Sequence, residues 1–132
     1  GGGGFNLIDG GAGDDVITGG VKNDVLIGGA GADTIDGGQG DDLVLGGLFL
    51  DGASFQDRQT ALRSAQSTWS TSSYEARSQA LRLFLAGKVA DDGVADTLHG
   101  GAGQDWFFAS LTGPNRDRLL DLAFGELTEP LN

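Results

Sequence analysis

The chain has no cysteine, no methionine, one histidine and two prolines among its 132 residues. Without cysteine there are neither disulfide staples nor thiol chemistry. This fits a protein that uses metal ions in place of disulfides outside the cell. A single histidine leaves no cast for a nucleophile–base pair. Basic residues are scarce, eight against nineteen acids, and the net charge of −11 argues against nucleic acid and anionic membranes as partners. No stretch approaches the ~20 apolar residues that a bilayer span requires. Hydrophobic residues make up 39% of the chain, too few for a large conventional core in what is one domain's length. The sequence starts inside a repeat, without Met or a signal-peptide pattern, and is read as a C-terminal fragment or processed product of something longer. What it has in excess is glycine, 25 residues.

The glycines are periodic. Residues 10–45 read GGAGDDVIT, GGVKNDVLI, GGAGADTID and GGQGDDLVL, four contiguous nine-residue units. Each opens with a Gly pair, carries Asp at its sixth position (Asp15, Asp24, Asp33, Asp42) and an aliphatic at its eighth (Ile17, Leu26, Ile35, Val44). Residues 1–9, GGGGFNLID, fit the same frame with Asn6 in the sixth place and Ile8 in the eighth. A fixed period of this kind is the mark of a solenoid. Glycine lets the first six residues turn through positive φ and approach an ion closely. The last three form a short strand in which the eighth residue points one way and its neighbours the other. The eighth position is therefore expected inside, in a single aliphatic layer.

With a turn at every unit, two units make one coil and units two apart stack. The expected stacked pairs are Asn6 with Asp24, Asp24 with Asp42, Asp15 with Asp33, Asp33 with Asp96 and Asp42 with Asp105. Stacked strands lie roughly 4.8 Å apart, and two charges at about 5 Å repel by roughly 0.8 kcal/mol even in water. Such columns need cations between them. Hard carboxylate and carbonyl oxygens, with no His or Cys nearby, suit Ca²⁺ better than a transition metal. About five Ca²⁺ ions are expected, enough to nearly cancel the acidic total. An EF-hand is set aside, because no D-x-[DN]-x-[DN]-G stretch with Glu at twelve is present.

These units resemble those of the RTX (repeats-in-toxin) proteins, a secreted family whose nonapeptide repeats form a Ca²⁺-binding parallel β-roll. The resemblance covers roughly half the chain. It implies that each ion takes the sixth-position Asp side chains and loop carbonyls from two units on the same side. Here that means the side chains of Asn6, Asp15, Asp24, Asp33, Asp42, Asp96 and Asp105, with the backbone carbonyls of Gly10, Gly19, Gly28, Gly37 and Gly100. Asn6 offers one neutral oxygen, so its edge site is expected to be weaker. Lys22 replaces a fourth-position Gly and is expected to reach solvent.

The repeat fails after Gly46-Gly47. No glycine occurs from Ser54 to Ala86, and two helices are expected there. The first is capped by Ser54, with Phe55, Leu62, Ala65 and Trp69 along one stripe. The second opens on the capping-box pair Ser72 and Glu75, carries Tyr74, Leu81, Phe84 and Leu85 on its apolar side, and ends at Gly87. Together they form an antiparallel hairpin. The repeat resumes in degraded form as DDGVADTLH, residues 91–99, and regularly as GGAGQDWFF, residues 100–108. The tail DRLLDLAFGE, within residues 109–132, resembles the D-x-I-x-D-F-x-x-G-x-D stretch that often follows RTX repeats. A final strand or two using Leu119, Leu120, Leu122 and Phe124 would cover the open end, and Asp117 and Asp121 are candidates for a terminal site.

The fold expected is mainly β, a right-handed parallel β-roll (residues 1–47 and 91–108) interrupted by an inserted α-helical hairpin (48–90) and closed by a C-terminal capping segment (109–132). All four parts belong to one structural domain. The acid sits with the repeats: residues 1–47 carry −7 and residues 48–90 carry +2. Asp14 and Asp41 are expected to face water or support a site from outside. His99 is expected on the surface, and Trp106, Phe107 and Phe108 in an apolar cluster rather than a carbohydrate platform. The chain is read as non-enzymatic. The function expected is a calcium-binding module that folds on Ca²⁺ outside the cell and serves secretion or stability of a larger secreted bacterial protein. The partners are then calcium and upstream domains. The alternative is a surface-layer, adhesin or filament subunit that assembles with copies of itself, and the location expected is extracellular or cell-surface.

Overall fold

The computed structural model describes residues 2–49, 60, 63, 64, 79, 89–110, 114–120 and 127–130. Its strands run β1 (Leu7–Ala12), β2 (Val16–Gly20), β3 (Val25–Ala30), β4 (Thr34–Gln39), β5 (Leu43–Leu45), β6 (Leu48–Phe49), β7 (Val89–Ala90), β8 (Thr97–Ala102), β9 (Trp106–Ala109), β10 (Arg118–Leu119) and β11 (Leu127–Pro130). Consecutive repeat units alternate between two parallel sheets, one ordered β1-β3-β5-β9-β11 and the other β10-β8-β4-β2. This is the architecture of a parallel roll, two units to a coil.

Register shows why the period works. Ile8 pairs with Leu26, Leu26 with Val44 and Val44 with Phe107 in one sheet. Ile17, Ile35, Leu98 and Leu119 follow one another in the other. These eighth-position residues meet between the sheets as one buried cluster, with Ile8 and Leu119 packed at its margins. Gly29 and Gly31 hold φ of 105° and 132°, a region where a side chain would be strained, and so the chain reverses within a few residues.

The core is not a single layer. Val25, Ile27, Leu43, Leu45, Trp106 and Phe108 occupy seventh and ninth positions in the first sheet, facing away from the roll's interior, and all are buried. Trp106 and Phe108 lie with ring centroids 4.7 Å apart. The same positions in the second sheet hold Val16, Thr18, Thr34, Asp36, Thr97 and His99, and Val16 is 83% exposed. The true repeat is therefore eighteen residues, with an apolar outer face on alternate units. Trp106, Phe107 and Phe108 are 5% exposed or less, which removes them as a carbohydrate platform.

The insertion is rooted on an antiparallel pair, β6 with β7, so its first and last residues are strands and not helix. The helical hairpin expected over 48–90 otherwise lies outside the described residues. The exceptions are Thr60, Arg63, Ser64 and Gln79, which are helical. Stacked partners are 18 residues apart before the insertion and 63 apart across it, so the half-coil beginning at Gly46 carries 45 extra residues. At the C-terminus two short strands cover the roll, β10 on β8 and β11 on β9. The second lies beyond the expected Leu122 and Phe124, which are outside the described residues, and Leu120 is 55% exposed. No described helix is long and apolar enough to cross a membrane.

Candidate metal centre

At each corner the ladder between coils leaves one donor over. The carbonyl of a sixth-position residue accepts from the seventh residue of the next coil, as Asp24 does from Leu43 at 2.8 Å. The sixth-position N–H has no such partner and is met by a carboxylate one coil on. Asn6 N donates to Asp24 Oδ1 (2.6 Å), Asp15 N to Asp33 Oδ1 (2.8 Å), Asp24 N to Asp42 Oδ1 (2.8 Å), Asp33 N to Asp96 Oδ1 (2.8 Å) and Asp42 N to Asp105 Oδ1 (2.8 Å). All five expected pairs are thus brought together. Asp117, 21 residues after Asp96, extends one column by accepting Asp96 N at 2.9 Å. Asp121 lies outside the described residues.

The second oxygen of these carboxylates faces a different situation. Oδ2 of Asp15, Asp24, Asp33 and Asp42 is buried without a hydrogen-bond partner. Each points into the space that a Cβ would occupy on the unit's first glycine, and a backbone carbonyl from the next coil points into the same space. At Gly10 the two oxygens are Asp15 Oδ2 and Gly28 O, 2.7 and 2.6 Å from the Cβ position. At Gly19 they are Asp24 Oδ2 and Gly37 O, at Gly28 Asp33 Oδ2 and Gly46 O, and at Gly37 Asp42 Oδ2 and Gly100 O. Two acceptors converging with no hydrogen between them repel unless a proton or cation intervenes.

Burial is the leading cause of the shifted acidities. It raises Asp42 from 3.8 to about 7 and Asp96 to about 8, against the opposing backbone N–H bonds, while neighbouring carboxylates push the same way as burial. Asp24, Asp33 and Asp117 are raised for the same first reason. No three His, Cys, Asp or Glu side chains converge on one point among the described residues. An ion here must therefore be shared between carboxylate and backbone oxygens, the hard, flexible donor set that suits calcium.

The chain's sequence matches the pattern of the RTX calcium-binding nonapeptide repeat, in four copies, over residues 1–25, 18–52 and 92–111. The chain belongs to that family. Its RTX repeats are calcium-binding repeats, and the donor set above fits the ion they imply. No curated protein and no solved structure matches the chain.

Some RTX positions behave otherwise than the repeat suggests. Asn6 is placed as a donor: its Nδ2 gives hydrogen bonds to Gly4 O (2.9 Å), Gly19 O (3.2 Å) and Asp24 Oδ1 (3.0 Å). Its N–H groups thus take up Gly19 O, the carbonyl that would otherwise face a sixth-position carboxylate. Gly10 frames the first space by lacking a Cβ. Gly46, absent from the expected carbonyls, takes its place beside Asp33; lying nine residues after Gly37, it was in frame.

Fifth-position residues form a second ladder in the opposite direction. Asp14 Oδ1 accepts Ala32 N, Asn23 Oδ1 accepts Asp41 N and Asp41 Oδ1 accepts Gln104 N, at 2.8–2.9 Å. Outside that ladder and in the reverse sense, Asp92 of the degraded unit accepts Gly31 N at 2.7 Å. His99 is half-exposed with Nδ1 3.1 Å from Asp36 Oδ1, and Lys22 is exposed.

Proposed function

We propose that this is an extracellular calcium-dependent folding module, part of a larger secreted bacterial protein. Its sites lie at four levels, held by Asp15 with Gly28 O, Asp24 with Gly37 O, Asp33 with Gly46 O and Asp42 with Gly100 O. Asp96 and Asp105 complete the lower two by stacking on Asp33 and Asp42. The observation that carries this reading is the set of four buried, unpartnered Oδ2 atoms aimed at backbone carbonyls. When bound, calcium supplies the positive charge between these oxygens. The chain's own part is to bring carboxylate and carbonyl together and to keep water from them.

In a compartment poor in calcium, the acidic columns repel and the Gly-rich chain gains little by coiling. Such an unfolded chain is what a narrow export channel can pass. Outside, an ion that binds only the folded form draws the equilibrium across by mass action. The inserted segment of 48–90 and the capping segment belong with this roll to one domain. The test is circular dichroism during a calcium titration from chelator, where β signal should appear with the ion. A chain equally structured in EDTA overturns the reading.

A surface-layer, adhesin or filament subunit is the second reading. It is favoured by one feature: β1 and β2 are edge strands of the two sheets at the same end, and unpaired edges are templates for pairing with another chain. Sedimentation in calcium separates the two, since a polymer growing with concentration supports assembly and a monomer supports the module.

A further inference from the structure

The loop from Gly28 to Asp33 carries both ends of the insertion. At the other three levels the carbonyl facing the aspartate belongs to Gly28, Gly37 or Gly100, each inside a strand. At the Gly28 level it belongs to Gly46, which lies between β5 and β6, two residues before the insertion's first strand. Gly29 N donates to the next carbonyl, Gly47 O, at 3.2 Å, so the chain entering β6 lies along this loop. The chain leaving β7 returns to it. Gly13 N and Gly40 N, the fourth-position amides of two other units, donate to the backbone carbonyls of Ala30 (2.7 Å) and Ala102 (2.8 Å). Gly31 N donates instead to Oδ2 of Asp92 at 2.7 Å, two residues after β7. Asp92 Oδ1 accepts Val94 N at 3.1 Å, which fixes the carboxylate in its own turn.

We propose that calcium between Asp33 and Gly46 also fastens the root of the insertion, β6 paired with β7, to the roll, and that Asp92 ties the second limb of that root to the occupancy of the same site. Without a cation the two limbs bring like groups together. Gly46 O and the buried Asp33 Oδ2 are acceptors with no hydrogen between them, and the charge of Asp92 bears on Asp33. A cation at this level reverses both repulsions. The root needs that help. It joins the ends of an excursion with 45 extra residues, whose closure costs chain entropy. Its own ladder is two residue pairs long, and a two-stranded ribbon is marginal in water by itself. Because one loop holds both limbs, loosening either limb weakens the ion's hold on the other, and the effect is reciprocal.

This inference rests on the calcium reading above, and one experiment distinguishes the failure of each. Native mass spectrometry counts bound calcium on the whole chain, and hydrogen exchange in the same samples reads Gly29, Gly31 and the amides of β6 and β7. Gly28→Ala fills the space between Asp33 Oδ2 and Gly46 O. Gly19→Ala does the same between Asp24 Oδ2 and Gly37 O, in the other aspartate column. Each should lose one ion, but β6 and β7 should lose protection in Gly28→Ala alone. Asp92→Ala removes the acceptor of the second limb and leaves Asp33 and Gly46 in place. It should loosen β6, on the opposite limb, and raise the calcium concentration that protects β6 by about fivefold. A root that stays protected in Gly28→Ala, or that loosens equally in Gly28→Ala and Gly19→Ala, refutes the proposal. Wild-type protection of β6 in Asp92→Ala refutes the coupling between limbs. A wild type that binds no calcium sinks the broader reading first.

Discussion

Asp24 and Asp42 stand one coil apart, and the backbone N–H of Asp24 donates to Oδ1 of Asp42 at 2.8 Å. One oxygen of Asp42 thus holds the corner together with or without an ion, while Oδ2 is buried with no hydrogen-bond partner. Asp42→Asn keeps the acceptor and deletes the charge. In chelator the variant should be at least as structured as wild type, because a buried carboxylate without a counterion costs more than an amide. In calcium it should lose stabilisation, with the calcium midpoint rising about tenfold, or about 1.4 kcal/mol. Thermal melts with and without calcium check both halves. A variant stabilised by calcium as strongly as wild type would count against Asp42 as a ligand.

Gly37→Ala tests the space rather than the charge. Its Cβ would meet Asp42 Oδ2 and Gly100 O, the two oxygens to which the ion is assigned. No left-handed backbone is required at Gly37, so the cost comes from occupancy alone. The variant should bind one ion fewer by titration calorimetry. Gly3→Ala, where a Cβ meets nothing within 4 Å, should match wild type. Equal stoichiometry in all three proteins would show that the ion lies elsewhere.

Acidity gives a third outcome. Burial raises Asp42 to about 7 and Asp96 to about 8 from 3.8, so between those limits the ion-free roll holds more protons than the unfolded chain. Stability without calcium is then fullest at low pH and falls as pH rises through the folded values. Protons and calcium compete for the same oxygens, so the calcium midpoint should drop as pH rises. Circular dichroism in EDTA at about pH 5 and about pH 8, with calcium titrations at each, reads both trends. A chelated chain better folded at the higher pH would contradict the account.

The inward column sets a fourth. Leu26 is 0% exposed between Ile8 and Val44, and Leu26→Ala should cost roughly 2–5 kcal/mol in urea melts run in calcium. Val16, 83% exposed on the second sheet, should tolerate Ala within about 0.5 kcal/mol. Similar losses at the two sites would mean that the inward and outward faces of the two sheets are misassigned.

Much of this was legible because one unit's chemistry repeats. Eighth-position aliphatics and sixth-position acids follow directly from alternation along a strand and from two units per coil, so Ile17, Ile35 and Leu98 fall into one column on paper. The eighteen-residue period was also written there, in Val25 and Ile27, Leu43 and Leu45, Trp106 and Phe108 against Thr18, Thr34 and His99. A nine-residue alignment averages it away. Asn6 could not be read the same way. An amide both donates and accepts, and its role is set by neighbours such as Gly19 O that only the coil supplies. Asp92 looked like decay of a glycine motif, yet its carboxylate does for Gly31 what Asp14 does for Ala32.

The most direct test is to grow crystals in calcium and locate the ions by their anomalous scattering. The account predicts peaks beside Gly10, Gly19, Gly28 and Gly37, each in contact with the Oδ2 of its own unit's aspartate and the carbonyl of the next coil. Peaks found only among Asp14, Asp41 and the outer loops, with those four Oδ2 atoms touching no ion, would contradict it.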